Sequence, residues 1–410
     1  MALNKKKKRA IIVGGSIGGL FAGNILSKNG WEVDILEKAK VNLASRGTGI
    51  ARHTELENIL TDLGLPPDES VGIAVRGRTA FNRKGQIIAE YPLHQRLGAW
   101  NKVFEPLYNI FPKNRYHKGH KFIGLEQKLK YTRVFTSTGK HFDADVVIGA
   151  DGFSSAVRKY IAPEINPKYS GYVGWRGISE ELKLSDNFRR NLFSHYAFLF
   201  LPQSLLIGYP IAGNDGSIEV GSRRYNYLWY YPTTEEKLKD LLTDNQGYFH
   251  SDGIPPSLIK GDHITDIMKI ANKIMPKNFI DIVTKASTTM FQPIYDVMSE
   301  KIVSENIVLI GDAAFVARPH VGIGVLKAAQ DAVSLANALI DNSAISDALT
   351  TYALERYEPG RQAVIHGRNL GSFIEQRLDK PEDELNLNLP PERIIRVSGR
   401  PYEHVVEQCL

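Results

Sequence analysis

The chain has 410 residues, 43% of them hydrophobic and 23% charged, which suits a globular protein of two domains or one large fold with an insert. The formal charge is +6, but Lys5, Lys6, Lys7, Lys8 and Arg9 carry five of those six charges, so no basic stripe for nucleic acid is expected across the folded part. The single cysteine, Cys409, excludes an internal disulfide and a cysteine-built zinc site, and no apolar run reaches the roughly 18 residues of a membrane helix.

Read along the chain, the basic run is a solvated arm rather than the start of a signal peptide, because the apolar stretch behind it is broken by five glycines and ends at Lys28. A reducing, cytoplasmic setting is expected. Ala10-Ile11-Ile12-Val13 reads as a buried parallel strand. Gly14-Gly15-Ser16-Ile17-Gly18-Gly19 follows, then a helix from about Leu20 to Lys28 that stops at Asn29-Gly30. Trp31 to Leu36 makes a second strand, with Glu37 at its end and Lys38 beside it, 18 residues past Gly19. That is a dinucleotide-binding βαβ unit. Gly14 allows the tight turn, Gly19 lets helix and strand approach, and Ser16, Ile17 and Gly18 open the helix whose free N–H groups face a pyrophosphate. Glu37 is placed to accept hydrogen bonds from ribose hydroxyls. Gly14 to Gly18 also matches the G-x-S-x-G elbow of hydrolases, but only thirteen residues precede it, too few for the strands an elbow needs.

Residues 71–91 read as a hairpin about Asn82-Arg83-Lys84-Gly85, and 120–150 as a meander turning at Ser137-Thr138-Gly139. Asp145 to Ala150 is a strand that ends in Asp151-Gly152, with Ser154, Ser155 and Arg158 opening a helix; taken alone, this is an N-cap. From Lys168 to Tyr230, strands rich in Tyr, Phe and Trp suggest an antiparallel sheet, covered by helices from Thr234 to about Lys285. Most of those aromatics are core, but a planar substrate needs planar walls, and Tyr209, Tyr225, Trp229 and His320 are the candidates. Trp175 and Arg176 are adjacent on one strand, so only one of them can face the pocket. His117 and His120 are not credible metal ligands, and no metal is expected. Further on, Asn306 to Ile310 forms a strand before Gly311-Asp312-Ala313-Ala314; then come Arg318-Pro319-His320-Val321-Gly322-Ile323-Gly324 and a long helix. A nicotinamide dehydrogenase has no use for this element. In a flavoprotein, Asp312 can bind ribitol hydroxyls and the helix start near Gly324 can stabilise negative charge on the isoalloxazine. The Pro- and charge-rich end from Lys380 reads as a surface wrap.

These three ordered motifs resemble the FAD-dependent aromatic hydroxylases, the group A flavoprotein monooxygenases of the p-hydroxybenzoate hydroxylase fold, from about Ala10 to Gly371. Gly149-Ala150-Asp151-Gly152 is similar to the family's DG motif and Gly311 to Ala314 to its GD motif. Gly171-Tyr172-Val173-Gly174-Trp175-Arg176-Gly177 and Arg223 to Tyr230 resemble the branch that acts on dihydroxypyridines. The resemblance implies an α/β fold, a Rossmann-like FAD-binding domain with an inserted mixed or antiparallel substrate domain. The divisions are 1–164, with the 71–92 hairpin reaching toward the substrate domain, then 165–296, 297–371 and a C-terminal extension 372–410. It further implies that Arg46 approaches the flavin, that Arg96 reaches the phosphates from a helix start, and that Asp151, Pro319, Gly322 and Gly324 join the FAD site. Where many members carry an asparagine, this chain has Leu326, so contact there falls to the backbone.

The implied reaction uses tightly bound FAD, transient NAD(P)H and O₂ to hydroxylate a small planar ring through a flavin C4a-hydroperoxide, with His320 as base and Tyr209 assisting. A flavin oxidase or dehydrogenase, or a FAD-binding sensor, is the alternative. A small aromatic or heteroaromatic substrate, no membrane and a monomer or homodimer complete the expectations.

Overall fold

The β-branched run after the basic arm forms Arg9–Val13, the central strand of a six-stranded sheet. Glu32–Glu37 and Tyr116–Lys118 lie on one side of it, and Val146–Gly149, Ile307–Leu309 and Val303–Ser304 on the other. All pairs are parallel except the last. Ala10 to Val13 are wholly buried because both faces of a parallel sheet are covered. The helix Ile17–Lys28 packs on Gly324–Asp341, where Gly18 lies against Ala328, and on Asn101–Ile110. This architecture comes from a computed structural model that describes residues 7–45, 49–66, 72–251, 253–374 and 389–400. Among them no helix is long and apolar enough to cross a membrane.

The expected meander is present as Phe122–Lys128, Tyr131–Thr136 and His141–Ala144. The second large sheet runs Phe315–Val316, Thr288–Met298, Lys168–Glu180, Arg224–Pro232, Ser204–Ile211, Tyr196–Leu201, Arg78–Phe81 and Ile87–Tyr91. It is antiparallel except where Tyr196–Leu201 meets Arg78–Phe81. Register decides which aromatics face where. Trp175 pairs with Trp229 and Arg176 with Leu228, while Tyr209 pairs with Asn226. Trp175, Tyr225, Tyr227 and Trp229 therefore share the face packed against the helices Gly261–Ile274 and Lys277–Thr284. Arg176, Tyr209, Leu228 and Tyr230 share the opposite face, which lines a cavity.

Three expectations about local structure need correction. The hairpin is confined to Arg78–Phe81 and Ile87–Tyr91; Ile73–Val75 leaves it to pair with Gln95–Ala99, and Val71 lies outside the described residues. The helix after Asp151-Gly152 is one short turn, Arg158–Ile161. The C-terminal segment 389–400 is not a surface wrap: its helix Pro391–Val397 lies on the strands Arg78–Phe81 and Ile87–Tyr91, with Ile395 buried on that side and Ile394 and Val397 buried against Val321, Ile323 and Leu370.

A buried ion cluster fixes the turn at Gly311, which adopts φ +59°. The Asp331 carboxylate accepts from the Gly311 N–H at 2.9 Å and from Arg356 Nε at 2.8 Å. Lys327 Nζ donates to the Gly311 carbonyl at 2.8 Å and lies 3.4 Å from Asp331. Asp331→Ala leaves two cations buried without their anion, so unfolding stability should drop by about 3–5 kcal/mol. Chemical denaturation of the two proteins measures this, and an unchanged midpoint would remove the cluster from the fold's supports.

Candidate active site

The site is built from three motifs and the aromatic sheet, with a cavity lying against the third motif and that sheet. At the glycine loop, Gly14 has φ +109° and touches Ala150 and Asp151 so closely that any side chain would overlap their main chain. Tyr116 donates to the Gly15 carbonyl at 2.8 Å and locks the loop from below. Glu37, 6% exposed, accepts from the Gly15 N–H at 2.9 Å and the Ala39 N–H at 2.7 Å. Each of its oxygens keeps a second lone pair, so the carboxylate can bind ribose hydroxyls without losing the loop. Ser16 stands at the helix N-cap with no capping bond from its hydroxyl, and the amides of Ile17, Gly18 and Gly19 start the helix there. Lys38 is exposed beyond Glu37.

At the second motif, Asp151 does what an N-cap does. Its carboxylate accepts from Ser155 Oγ at 2.5 Å and from the amides of Ala156 and Val157. The side chain thus organises its own turn, and its backbone borders the glycine loop. Arg158 then ties this motif to the third, donating to the Phe153 carbonyl at 2.6 Å and the Ala313 carbonyl at 3.0 Å.

The third motif and the aromatic sheet enclose a cavity of about 560 Å³. Asp312, Pro319, Gly322 and Gly324 line it from the third motif, and Arg176, Tyr196, Tyr209 and Tyr230 from the sheet. Asp312 is open to the cavity, yet so deep in the protein that desolvation raises its carboxyl above the usual range, with Lys327 opposing the rise. Because that carboxylate still meets solvent in the cavity, we read the rise as a sign of depth rather than loss of charge. Gly324 begins the 18-residue helix Gly324–Asp341, which has no acidic residue in its first turn. Its free amides and partial positive charge face the cavity, with open space before Gly324. Leu326 is buried in the core, so any contact at that position is through the backbone.

The remaining candidates divide. Tyr209 lines the cavity, packed on Gly49, and Tyr230 and Arg176 join it there. Burial pushes the Tyr209 and Tyr230 hydroxyls up, and the nearby Arg176 charge partly offsets that. Tyr225 and Trp229 do not line the cavity, because their strand positions turn them to the opposite face. His320 is not in the wall either. It lies behind it, its ring 3.8 Å from the Tyr230 ring centroid, with Nε2 2.8 Å from the Tyr172 hydroxyl. Burial, then the charge of Arg318, hold its imidazole well below the usual range, so it stays neutral, and with no face on the cavity it is not placed to take a proton from a ring. Arg96 sits within the strand Gln95–Ala99, not at a helix start, and reaches the Gly72 carbonyl at 3.4 Å rather than the cavity. Arg46 lies outside the described residues. A functional residue that sequence reasoning misses is Arg318, whose guanidinium grips Asp296 at 2.9 and 2.8 Å and fixes the loop before Gly322.

A Rossmann-type sheet offering a glycine loop, a ribose-side acid and a second acid beneath a helix start, all roofed by an aromatic antiparallel sheet, defines a flavoprotein with the p-hydroxybenzoate hydroxylase fold. Residues 169–296 match a FAD binding domain-like family and 264–366 a FAD binding domain family. The chain is 30% identical over 374 residues to the 2,6-dihydroxypyridine 3-monooxygenase of Paenarthrobacter nicotinovorans, covering 90% of this chain and 91% of that one. It is 26% identical over 373 residues to the 3-hydroxybenzoate 6-hydroxylase of Klebsiella oxytoca, covering 85% and 83%. The solved 2,6-dihydroxypyridine-3-hydroxylase of Arthrobacter nicotinovorans superposes with a TM-score of 0.85 at 27% identity, covering 94% of this chain and 98% of that one. The chain belongs to the FAD-dependent monooxygenases that hydroxylate aromatic and heteroaromatic rings, and FAD is its cofactor.

Two measurements test this site. Glu37→Ala should weaken FAD binding by roughly 1.5–3 kcal/mol, the range for a hydrogen bond to a charged group; fluorescence titration of apoprotein with FAD reads it, and unchanged affinity would exclude Glu37. The second concerns His366, on the helix behind the loop, whose imidazole burial pushes down to about 4. With a folded-state pKa below the ordinary 6.5, the stability it lends is whole above that pH and is lost as pH falls through about 4. Wild type should therefore lose up to about 3 kcal/mol across that window that His366→Phe does not, by unfolding at stepped pH. Parallel acid limbs for the two proteins would contradict it.

Proposed function

We propose that the chain uses NAD(P)H and O₂ with its FAD to hydroxylate a small planar ring bearing hydroxyl or oxo groups, first a hydroxylated pyridine and second a phenol. The observation that carries this reading is the cavity itself, lined by Asp312 and the Gly324 helix start from the third motif and by Arg176, Tyr230 and Tyr209 from three successive strands of the sheet. Bound FAD supplies the reduction by NAD(P)H and the activation of oxygen.

The protein's own groups do the rest. Ser16 and the amides of Ile17, Gly18 and Gly19 would hold the pyrophosphate, Glu37 the adenosine ribose and Asp312 the ribitol. The amides at Gly322 and Gly324 would stabilise negative charge on the flavin ring. Tyr209 and Tyr230 offer flat apolar walls for the ring, and the sheet above them excludes water. Arg176 takes the role that the sequence suggests for His320. A cation beside a ring hydroxyl lowers its pKa, so the substrate binds as an oxyanion, and the negative charge makes the ring carbon a better nucleophile. The chain carries no second dinucleotide fingerprint, which supports NAD(P)H as a transient visitor.

The test is a screen of di- and trihydroxylated pyridines and phenols for stimulated NAD(P)H oxidation, with oxygen-18 from O₂ traced into product. Stimulation by a lipid or terpene alone would overturn the substrate class. Arg176→Gln should raise KM by an amount worth roughly 1.5–3 kcal/mol, that of a charged hydrogen bond, while FAD affinity holds. An unchanged KM would remove Arg176 from the substrate end.

A further inference from the structure

The segment 389–400 reaches the cavity from behind. The Gly399 N–H donates to the Val321 carbonyl at 2.8 Å, and a Cβ on Gly322 would lie 2.7 Å from Gly399 Cα. Gly322 and Gly399 both adopt the left-handed region, at φ +66° and +61°, so a side chain would be strained at either and would also collide at Gly322. On the far side of the same loop, Gly367 of the helix Ile345–Gly371 lies so close that a Cβ would stand 2.9 Å from the Arg318 amide. The loop 318–322 is thus clamped between that helix and the C-terminal segment.

Arg78 is what holds the segment there. It is 0% exposed, and among the described residues no carboxylate bonds to it. Its guanidinium instead donates to the carbonyls of Ile395 at 2.9 Å, Ser398, and Gly399 at 3.4 Å, and to Gln95 Oε1 at 2.8 Å. His53 Nε2 adds a contact to the Gly399 carbonyl at 3.1 Å. The planar fork of arginine meets three carbonyls at a helix C-terminal end, an arrangement that a lysine's single ammonium cannot reproduce. The same guanidinium lies 5.4 Å from the ring centroid of Tyr196, which meets Tyr209 edge-on at 5.2 Å. One buried cation therefore touches both the C-terminal segment and the aromatic end of the cavity.

We propose that Arg78 and Gly399 are positioning residues: they seat the C-terminal segment against Val321 and Gly322 and so set where the flavin-facing loop stands relative to the aromatic wall. The inference rests on the reading that Gly322 and Gly324 face the flavin. Small errors in that spacing separate oxygen activation from ring attack, because misplacement by about 1 Å can cost a reaction about 100-fold.

The test uses the full-length holoprotein with Arg78→Lys, Gly399→Ala and, as a control in the same segment, Arg396→Ala, whose exposed guanidinium lies over the Tyr91 ring. Gly399→Ala places a methyl in the left-handed region and 3.3 Å from Arg78 Nη2. For the first two we expect FAD stoichiometry to hold, the flavin visible spectrum to shift, and amide exchange at 321–324 to quicken about tenfold. Product formed per NAD(P)H should fall about tenfold, with peroxide released instead. Arg396→Ala should leave all of these at wild type. Wild-type spectra, exchange and coupling in both variants, with only a lower Tm, would overturn the proposal. Should Arg78→Lys fail to fold, Gly399→Ala decides. If no ring stimulates the wild type, the substrate reading fails, and the spectrum and the exchange still decide this inference.

Discussion

Asp331 holds the turn at Gly311 from a place water does not reach, and the cofactor end of the cavity hangs on that turn. The carboxylate has to satisfy a backbone amide and two cations at once, and it has the lone pairs to do so. A buried ion pair adds little to stability for its own sake, since desolvation offsets much of the attraction. What it supplies here is position. Gly311 is held, so Asp312 points into the cavity; Ala313 is held, so Arg158 can bridge to Phe153 and bring the Asp151 turn alongside. Segments more than 150 residues apart are joined by a handful of charged hydrogen bonds.

The antiparallel sheet depends on a different constraint, the period of two. Once Arg176 pairs with Leu228, the parity of every residue on Arg224–Pro232 is decided. Even positions face the cavity with Tyr230, and odd positions, Tyr225 and Trp229 among them, pack on the helices. The sequence makes plain that Trp175 and Arg176 point opposite ways. It does not say which face is the wet one, because that depends on what the sheet packs against, and the helices that decide it lie after residue 260.

That difference separates what is legible in the sequence from what is not. The glycine loop, Glu37, Asp312 and the Gly324 helix start are local devices, each written within one strand–turn–helix, so the order of residues alone reveals them. Asp151 is readable as a cap, and the cap is what its side chain does. His320 misleads because a histidine beside a glycine loop suits a base, whereas its pKa depends on burial among Tyr172, Tyr230 and Arg318, which come together only in the fold. Arg78 and Gly399 are 321 residues apart and carry no motif, so nothing in the sequence joins them.

The charges, taken together, explain why one cavity suits such different guests. Among its described lining residues, Asp312 is the only acid, set against the cations Arg176 and Arg318. Lys327, in the first turn of the helix at Gly324, is turned back toward Asp331 and the Gly311 carbonyl, so the field facing the cavity there is largely that of the helix itself. Arg318 is matched by Asp296, which also receives Arg368, so the loop before Gly322 is tied by charge to the strand Thr288–Met298 and the helix Ile345–Gly371. The cavity thus offers one acid, two arginines and a helix start, each held in place by the fold. Reduced flavin carries negative charge and a hydroxylated ring can carry it too, and positive groups fixed in advance stabilise such anions without rearranging.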